Sequence, residues 1–176
     1  MGCKQSMTSH NTLDEYHTAD LQNNSFSKLQ KFTYNGKITK CKVTDVYDGD
    51  TVTIVFYDND KPIKDSFRMF GYDAPEMKPL KTTPNRELHI SAAKVSKEVL
   101  QNLTKDKVLW VKFCNEEKYG RLMGHLYFND PILNSKSIND YMIENGFGKA
   151  YNGGQKSEFT LQDLNTIIHK KHIETT

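Results

Sequence analysis

The alternation of apolar and polar residues from Lys37 onward predicts a series of short β-strands. In the segment KITKCKVTDVYD apolar side chains recur among polar ones, and the β-branched run TVTIVFY follows a DGD turn. The sequence DNDKP has the chemistry of a hairpin turn, and DSFRMFGYDAPEM then supplies a third strand. Two later runs, KVLWVKF and RLMGHLYF, predict a fourth and a fifth strand.

Three segments have helical rather than strand periodicity. A helix is predicted over residues 85–104, a second begins near Ser137 with Asp140 three residues on, and a third begins near Thr160 with Asp163 in the same position. The apolar face predicted for the first of these consists of Leu88, Ala92, Val95, Val99 and Leu103. These elements predict an α+β fold in which a five-stranded OB-type β-barrel packs against three α-helices.

The first thirty residues differ from the rest of the chain. They are polar, rich in Ser, Thr, Asn and Gln, and lack sustained periodicity, so we expect residues 1–30 to form a flexible N-terminal tail and residues 31–176 to form one domain. No stretch is apolar enough to cross a bilayer, and the N-terminus lacks the apolar region of a secretory signal. An intracellular protein is therefore expected.

Composition narrows the choice of function less than the placement of the arginines does. The net charge of +2 does not by itself indicate a nucleic-acid binder, and three cysteines are too few and too scattered for a disulfide framework or a zinc site. Of the 24 lysine and arginine residues only Arg68, Arg86 and Arg121 are arginine. Because arginine alone offers a planar fork for bidentate contact with phosphate or carboxylate, these few positions are informative.

One group of charged residues predicts chemistry on a phosphodiester. Carboxylates and water can hold a hard cation such as calcium, two guanidinium groups can stabilise a phosphoryl transition state, and a further carboxylate can orient or deprotonate water. The alternative is a set of weak surface salt bridges, and spacing alone leaves both interpretations open. The group consists of Asp50, Arg68, Asp73, Glu76 and Arg121.

Four strings in order, YDGDTVTI, FRMFGYDAPE, EEKYGRLMGHLYF and SINDYMIENGFGKAY, resemble the calcium-dependent staphylococcal nuclease (thermonuclease) family. The resemblance extends from about Lys37 to the last predicted helix. It implies an OB-type barrel and a calcium-dependent phosphodiesterase that acts on DNA and RNA and leaves 3′-phosphate products. No obligate protein partner is expected.

The same resemblance implies a role for each residue at a matching position. The carboxylates of Asp50 and Asp73 and the backbone carbonyl of Ala74 would bind Ca²⁺. Glu76 would position or activate water, and Arg68 and Arg121 would clamp the phosphate. Contacts with the terminal phosphate and the nucleotide would fall to Lys118, Tyr119 and Tyr151.

The chain departs from the family pattern directly after Tyr151, where NGGQ stands in place of a second tyrosine. Because stacking on an aromatic ring contributes roughly 1–3 kcal/mol per base, we expect weaker substrate binding rather than lost chemistry. The alternative function is a catalytically silent OB-type module that binds nucleic acid or a protein. Retention of all five charged side chains speaks against it, and a test for calcium-stimulated cleavage distinguishes the two.

The first six residues, MGCKQS, fit a lipidation pattern. Gly2 with Ser6 matches the N-myristoylation motif, and Cys3 is a site for palmitoylation. Since one acyl chain anchors a protein only marginally and two hold it firmly, the pair predicts attachment to the cytoplasmic face of a membrane. The alternative is a chance pattern at the start of a flexible tail.

Overall fold

The computed structural model describes residues 8–114, 121–133, 136–154 and 156–170, with side chains from residue 13 onward. The chain divides into two compact units, Met1–Phe32 and Thr33–Thr176. The first contains helix α1, Thr8–Asn23, where the sequence predicts a flexible tail. The pattern gives no sign of this helix because its described side chains are almost all exposed, and helical backbone bonds require no apolar face.

The second unit is built around a closed barrel of five strands in the order β1-β2-β3-β6-β5, with β5 pairing back to β1. Neighbouring strands are antiparallel except β3 and β6, whose short parallel pairing closes the barrel. Two short strands, β4 and β7, pair outside it. The strands are β1 Ile38–Val46, β2 Thr51–Asp58, β3 Lys61–Met69, β4 Tyr72–Asp73, β5 Val108–Phe113, β6 Leu122–Tyr127 and β7 Lys149–Ala150.

Helices α2 Arg86–Thr104, α3 Ile138–Glu144 and α4 Leu161–Lys170, together with a short 3₁₀ helix at Pro131–Leu133, complete the unit. The α+β prediction, a five-stranded barrel with these three helices, is confirmed. Helix α3 begins with a capping box in which Ser137 and Asp140 bond reciprocally. None of the helices in the described segments is long and apolar enough to cross a membrane.

The core fills the barrel and the space beneath α2. On β1 the side chains of Cys41 and Val43 are buried, as the alternation predicts, and a shift of register between Val43 and Asp45 makes Val46 the next buried residue. The buried face of α2 is rotated from the predicted one, because Leu100 and the polar Ser96 are fully buried while the predicted Val99 is only partly so. Burial of Ser96 is compensated by its hydroxyl, which donates to the Phe147 carbonyl at 2.6 Å.

Candidate active site

Three of the predicted site residues meet in a buried ion cluster at the ends of β2, β3 and β4. The Nη2 atom of Arg68 lies 2.7 Å from Asp50 Oδ2 and 2.9 Å from Asp73 Oδ1, and Nη1 donates to Asp50 Oδ1 at 3.2 Å. All three residues are at least nine-tenths buried. The arginine in the third strand is thus explained: it bridges two buried carboxylates that would otherwise be costly to bury.

The DGD turn is held close to the strand that carries Asp73. The backbone N–H of Met69 donates to the Asp50 carbonyl at 2.9 Å, which ties the start of β2 to the end of β3. A β-carbon at Gly49 would lie 2.6 Å from the Ala74 Cβ and 2.9 Å from the Ser96 Cβ. Only glycine therefore lets the turn pack against both Ala74, directly after β4, and helix α2, and so bring Asp50 beside Asp73.

The ion cluster carries more negative charge than Arg68 neutralises. Burial and the adjacent Asp48 carboxylate raise the pKa of Asp50 to about 8, and Arg68 offsets only part of this shift. Tyr72 lies in the same field: burial, and then the charges of Asp50, Asp73 and Asp48, raise its pKa well above the ordinary value. The neutral Tyr72 hydroxyl donates to the Phe147 carbonyl at 3.1 Å.

Glu76 is joined to the cluster by a lysine that the sequence analysis did not assign. The Lys156 ammonium lies 2.7 Å from Asp73 Oδ1 and 3.1 Å from Glu76 Oε1. Partial burial alone would lower the pKa of Lys156, but its bonds to the two carboxylates raise it above the ordinary value. Lys156 follows the NGGQ segment, so the loop that departs from the family pattern places a cation on two predicted functional carboxylates.

The remaining described site residues line a cavity of about 750 Å³ beside the cluster. Arg121, Tyr151 and Glu76 contribute to its wall, and the largely buried Arg68 also lines it. The backbone N–H of Tyr151 donates to the Gly71 carbonyl at 2.9 Å, and its hydroxyl donates to the Gly154 carbonyl at 3.0 Å, so the glycine loop holds the ring. Lys118, Tyr119, Gly2 and Cys3 lie outside the described residues, and the roles expected of them stay predictions.

Ala74 follows Asp73 directly and is 4% exposed. It lines a second cavity, of about 480 Å³, which shares Glu76 and Lys156 with the first. The cluster, the two cavities and the lysine between them form one continuous site.

The donor set fits a hard divalent cation. The acidic side chains at the site, Asp48, Asp50, Asp73 and Glu76, offer only oxygen, the donor that calcium prefers. Two cations, Arg68 and Lys156, contact three of these carboxylates, those of Asp50, Asp73 and Glu76. With Asp48 beside Asp50, the carboxylates outnumber these two cations. Within the described segments no three His, Cys, Asp or Glu side chains are placed to coordinate one metal ion. A cation bound here would therefore be held by two carboxylates together with a main-chain carbonyl.

Sequence reasoning missed Asp48 and Lys156. Asp48 had a readable signal, because the DGD turn places two carboxylates two residues apart on one tight loop, and the backbone N–H of Asp50 donates to Asp48 Oδ1 at 3.3 Å. Lys156 had none, since its ion pairs reach Asp73 and Glu76 across about eighty residues of chain.

Comparison with known proteins agrees with the geometry. Residues 66–170, more than half of the chain, match the family described as staphylococcal nuclease homologue. Two proteins named uncharacterized endonuclease, from Escherichia coli O157:H7 and Escherichia coli, are each 26% identical over 110 residues. The aligned part covers 62% of this chain and 60% of each relative, so the chain spans less than two thirds of the length of either.

Proposed function

Because the chain belongs to the staphylococcal nuclease homologue family, we propose that it is a nuclease that hydrolyses the phosphodiester bonds of DNA and RNA with calcium as its metal. The observation that carries the proposal is the Asp50, Arg68 and Asp73 cluster, which opens into the cavity lined by Arg121 and Glu76. The site therefore combines groups of opposite charge with room for a short part of a polynucleotide strand.

In this proposal the side chains divide the work by charge. Glu76, whose side chain is 58% exposed, accepts the proton of the attacking water. Arg121, with Arg68 behind it, stabilises the additional negative charge on the phosphoryl oxygens. Water adds to phosphorus as the bond to the 5′ oxygen breaks, and the leaving oxygen takes a proton from the solvent, which leaves a 3′-phosphate and a 5′-hydroxyl.

Calcium would be held by the carboxylates of Asp50 and Asp73 and by the Ala74 carbonyl. When bound, it would supply the positive charge that the four carboxylates at the site still need, and would polarise the phosphate and the water. The second function from sequence, a silent binding module, has no specific observation in its favour.

The proposal predicts that cleavage of single-stranded DNA depends on calcium and is poorly supported by magnesium. Magnesium demands a near-ideal octahedron at 2.0–2.1 Å, while calcium accepts six to eight oxygens in looser arrangements. The measurement is the initial cleavage rate after chelation and re-addition of each ion. No cleavage with either ion would favour the silent module, and equal rates in magnesium alone would contradict the calcium assignment.

Lys156→Met is expected to tighten calcium binding by about tenfold. The ammonium shares Asp73 with the proposed ion, and a unit charge a few ångströms from a divalent ion costs about 1–2 kcal/mol even in a water-like medium. Without calcium the variant should melt at a lower temperature, because Asp73 and Glu76 lose their shared cation. Calcium affinity is measured by competition with a fluorescent chelator, and stability by thermal melting.

Lys149→Met is the matched control. Lys149 pairs with Asp163 at the same distance, 2.7 Å, but at the start of helix α4, and it lines neither cavity. This variant should also melt lower and keep the calcium affinity of the parent. An unchanged affinity in Lys156→Met would show that the lysine does not compete with calcium.

A further inference from the structure

A row of aromatic rings runs from the cavity across the outer face of the barrel. The ring centroids of Phe70 and His125 are 5.5 Å apart, and those of His125 and Tyr127 are 6.2 Å apart. Tyr127 lies directly opposite Trp110 in the pairing of β6 with β5. Phe70 also lines the 750 Å³ cavity, so the row is continuous with the candidate active site. We call Phe70, His125, Tyr127 and Trp110 the aromatic row.

The strand register places these rings on the outside of the barrel. Leu109, Val111 and Leu126 are buried in the core, and because side chains alternate along a strand their neighbours point outward. All four rings of the aromatic row are partly exposed. The row begins just after β3 and crosses β6 to β5. Because neighbouring strands lie about 4.8 Å apart, the distance across the barrel surface from β3 to β5 is roughly 10 Å.

Two lysines flank the aromatic row. Lys40 on β1 is opposite Trp110, and its ammonium lies 5.6 Å from the centre of the indole ring. Lys112 is opposite His125. Both are exposed, and in the described part of the chain neither ammonium has an ion pair with a carboxylate. The Asp140 carboxylate raises the pKa of both His125 and Tyr127, and it accepts a hydrogen bond from the Ser137 hydroxyl.

His125 behaves here as a neutral aromatic ring. Burial lowers its pKa below the ordinary value despite the charge of Asp140, so it is uncharged at neutral pH. Its Nδ1 atom is buried and has no hydrogen-bond partner within the described structure. Partly exposed rings interleaved with cations are the combination that binds single-stranded nucleic acid, because bases stack on the rings and phosphates contact the ammonium groups.

We infer that the outer face of β1, β5 and β6 is a binding surface for the single strand on one side of the scissile phosphate. The inference rests on the proposed function, in that it takes a polynucleotide as the substrate. Continuity through Phe70 lets one strand occupy the cavity and the aromatic row together. The surface would give the enzyme a preference for single strands several nucleotides long, since paired bases cannot stack on side chains.

Trp110 is the only tryptophan in the chain and serves as the probe. The intact chain is titrated with an oligothymidylate of about ten nucleotides, within the site size of an OB fold, in excess chelator so that no calcium-dependent cleavage occurs. We expect saturable quenching of its fluorescence, and none with inorganic polyphosphate of similar charge. A dinucleotide, which the cavity alone accommodates, should not quench.

Variants separate stacking from charge. Tyr127→Ala should weaken oligonucleotide binding at least about fivefold, from the loss of one stacking platform. Lys40→Gln with Lys112→Gln should lower the slope of log K against log salt by about 1.4, or about 0.7 for each phosphate contact. Lys64→Gln is the control, since Lys64 is exposed on β3 opposite Val55 and away from the row. Thermal melts confirm that each variant is folded.

The outcomes distinguish this inference from the proposed function. If the oligonucleotide quenches Trp110 but the protein shows no calcium-dependent cleavage, the binding surface is supported and the nuclease proposal is refuted. Calcium-dependent cleavage without quenching, or with unchanged affinity in Tyr127→Ala, would overturn the surface and leave the nuclease intact. Equal quenching by polyphosphate would also overturn it, because no base would then be needed.

Discussion

Arg121→Lys is expected to lower the calcium-supported cleavage rate about 10²- to 10³-fold, the usual loss when one preorganised charge-stabilising donor is removed. Lysine keeps the charge but cannot offer two parallel N–H donors to a phosphoryl group. Arg121 immediately precedes β6, whose first residues Leu122 and Met123 pair with Phe67 and Arg68, and it lines the cavity together with Arg68. The melting temperature should stay close to that of the parent.

Arg68→Lys should lose rate and stability together, which distinguishes the two arginines. A lysine cannot hold both oxygens of Asp50 and one of Asp73, and an unmet buried hydrogen bond costs about 1–3 kcal/mol. Arg86→Lys is the control: Arg86 pairs with the exposed Glu87 and donates to the Pro79 carbonyl at 3.4 Å, so its replacement should leave the rate unchanged and alter stability only slightly. A near-normal rate in folded Arg121→Lys would assign that arginine a structural role only.

Strand alternation, helical periodicity and helix-capping residues together predict the barrel and its three helices. Inward residues of β2 such as Ile54 repeat at every second position, and Ser137 with Asp140 marks a helix start, so both signals are local. The register of α2 was less accessible, because Ser96 is buried only through its bond to the Phe147 carbonyl, fifty-one residues away. The pattern of apolar residues favours Val99 over Ser96 and rotates the predicted face accordingly.

The site residues also divide into those that have a local sequence signal and those that are placed by contacts distant in sequence. Residues at strand ends, such as Arg68 and Asp73, could be selected from sequence because a charge inside or just after a buried strand requires a partner. Their pairing with each other was not predictable, since either charge could equally have been compensated by a bound ligand. Lys156 lay beyond reach for a different reason: it meets Glu76 only after the chain has returned through β7.

Asp50→Asn is expected to remove calcium binding while leaving the fold close to its parent stability without calcium. Asparagine preserves the volume of the side chain and can keep one bond to Arg68 or Thr51, which lie 2.7 and 2.8 Å from the carboxylate. Because burial and the Asp48 charge raise the pKa of Asp50 to about 8, its negative charge is disfavoured when no further cation is present. Asparagine resembles the protonated carboxyl that this pKa favours, so the substitution should cost the calcium-free fold little.

The measurement is thermal melting of parent and variant with and without calcium. At calcium about 100-fold above Kd, binding adds about 2.7 kcal/mol to the parent, which for a domain of this size raises Tm by roughly 5–10 °C. The Asp50→Asn variant should show almost none of this rise. Asp65→Asn, an exposed aspartate on β3, is the control and should keep the full rise. A calcium-induced rise in Asp50→Asn equal to that of the parent would place the ion elsewhere in the molecule.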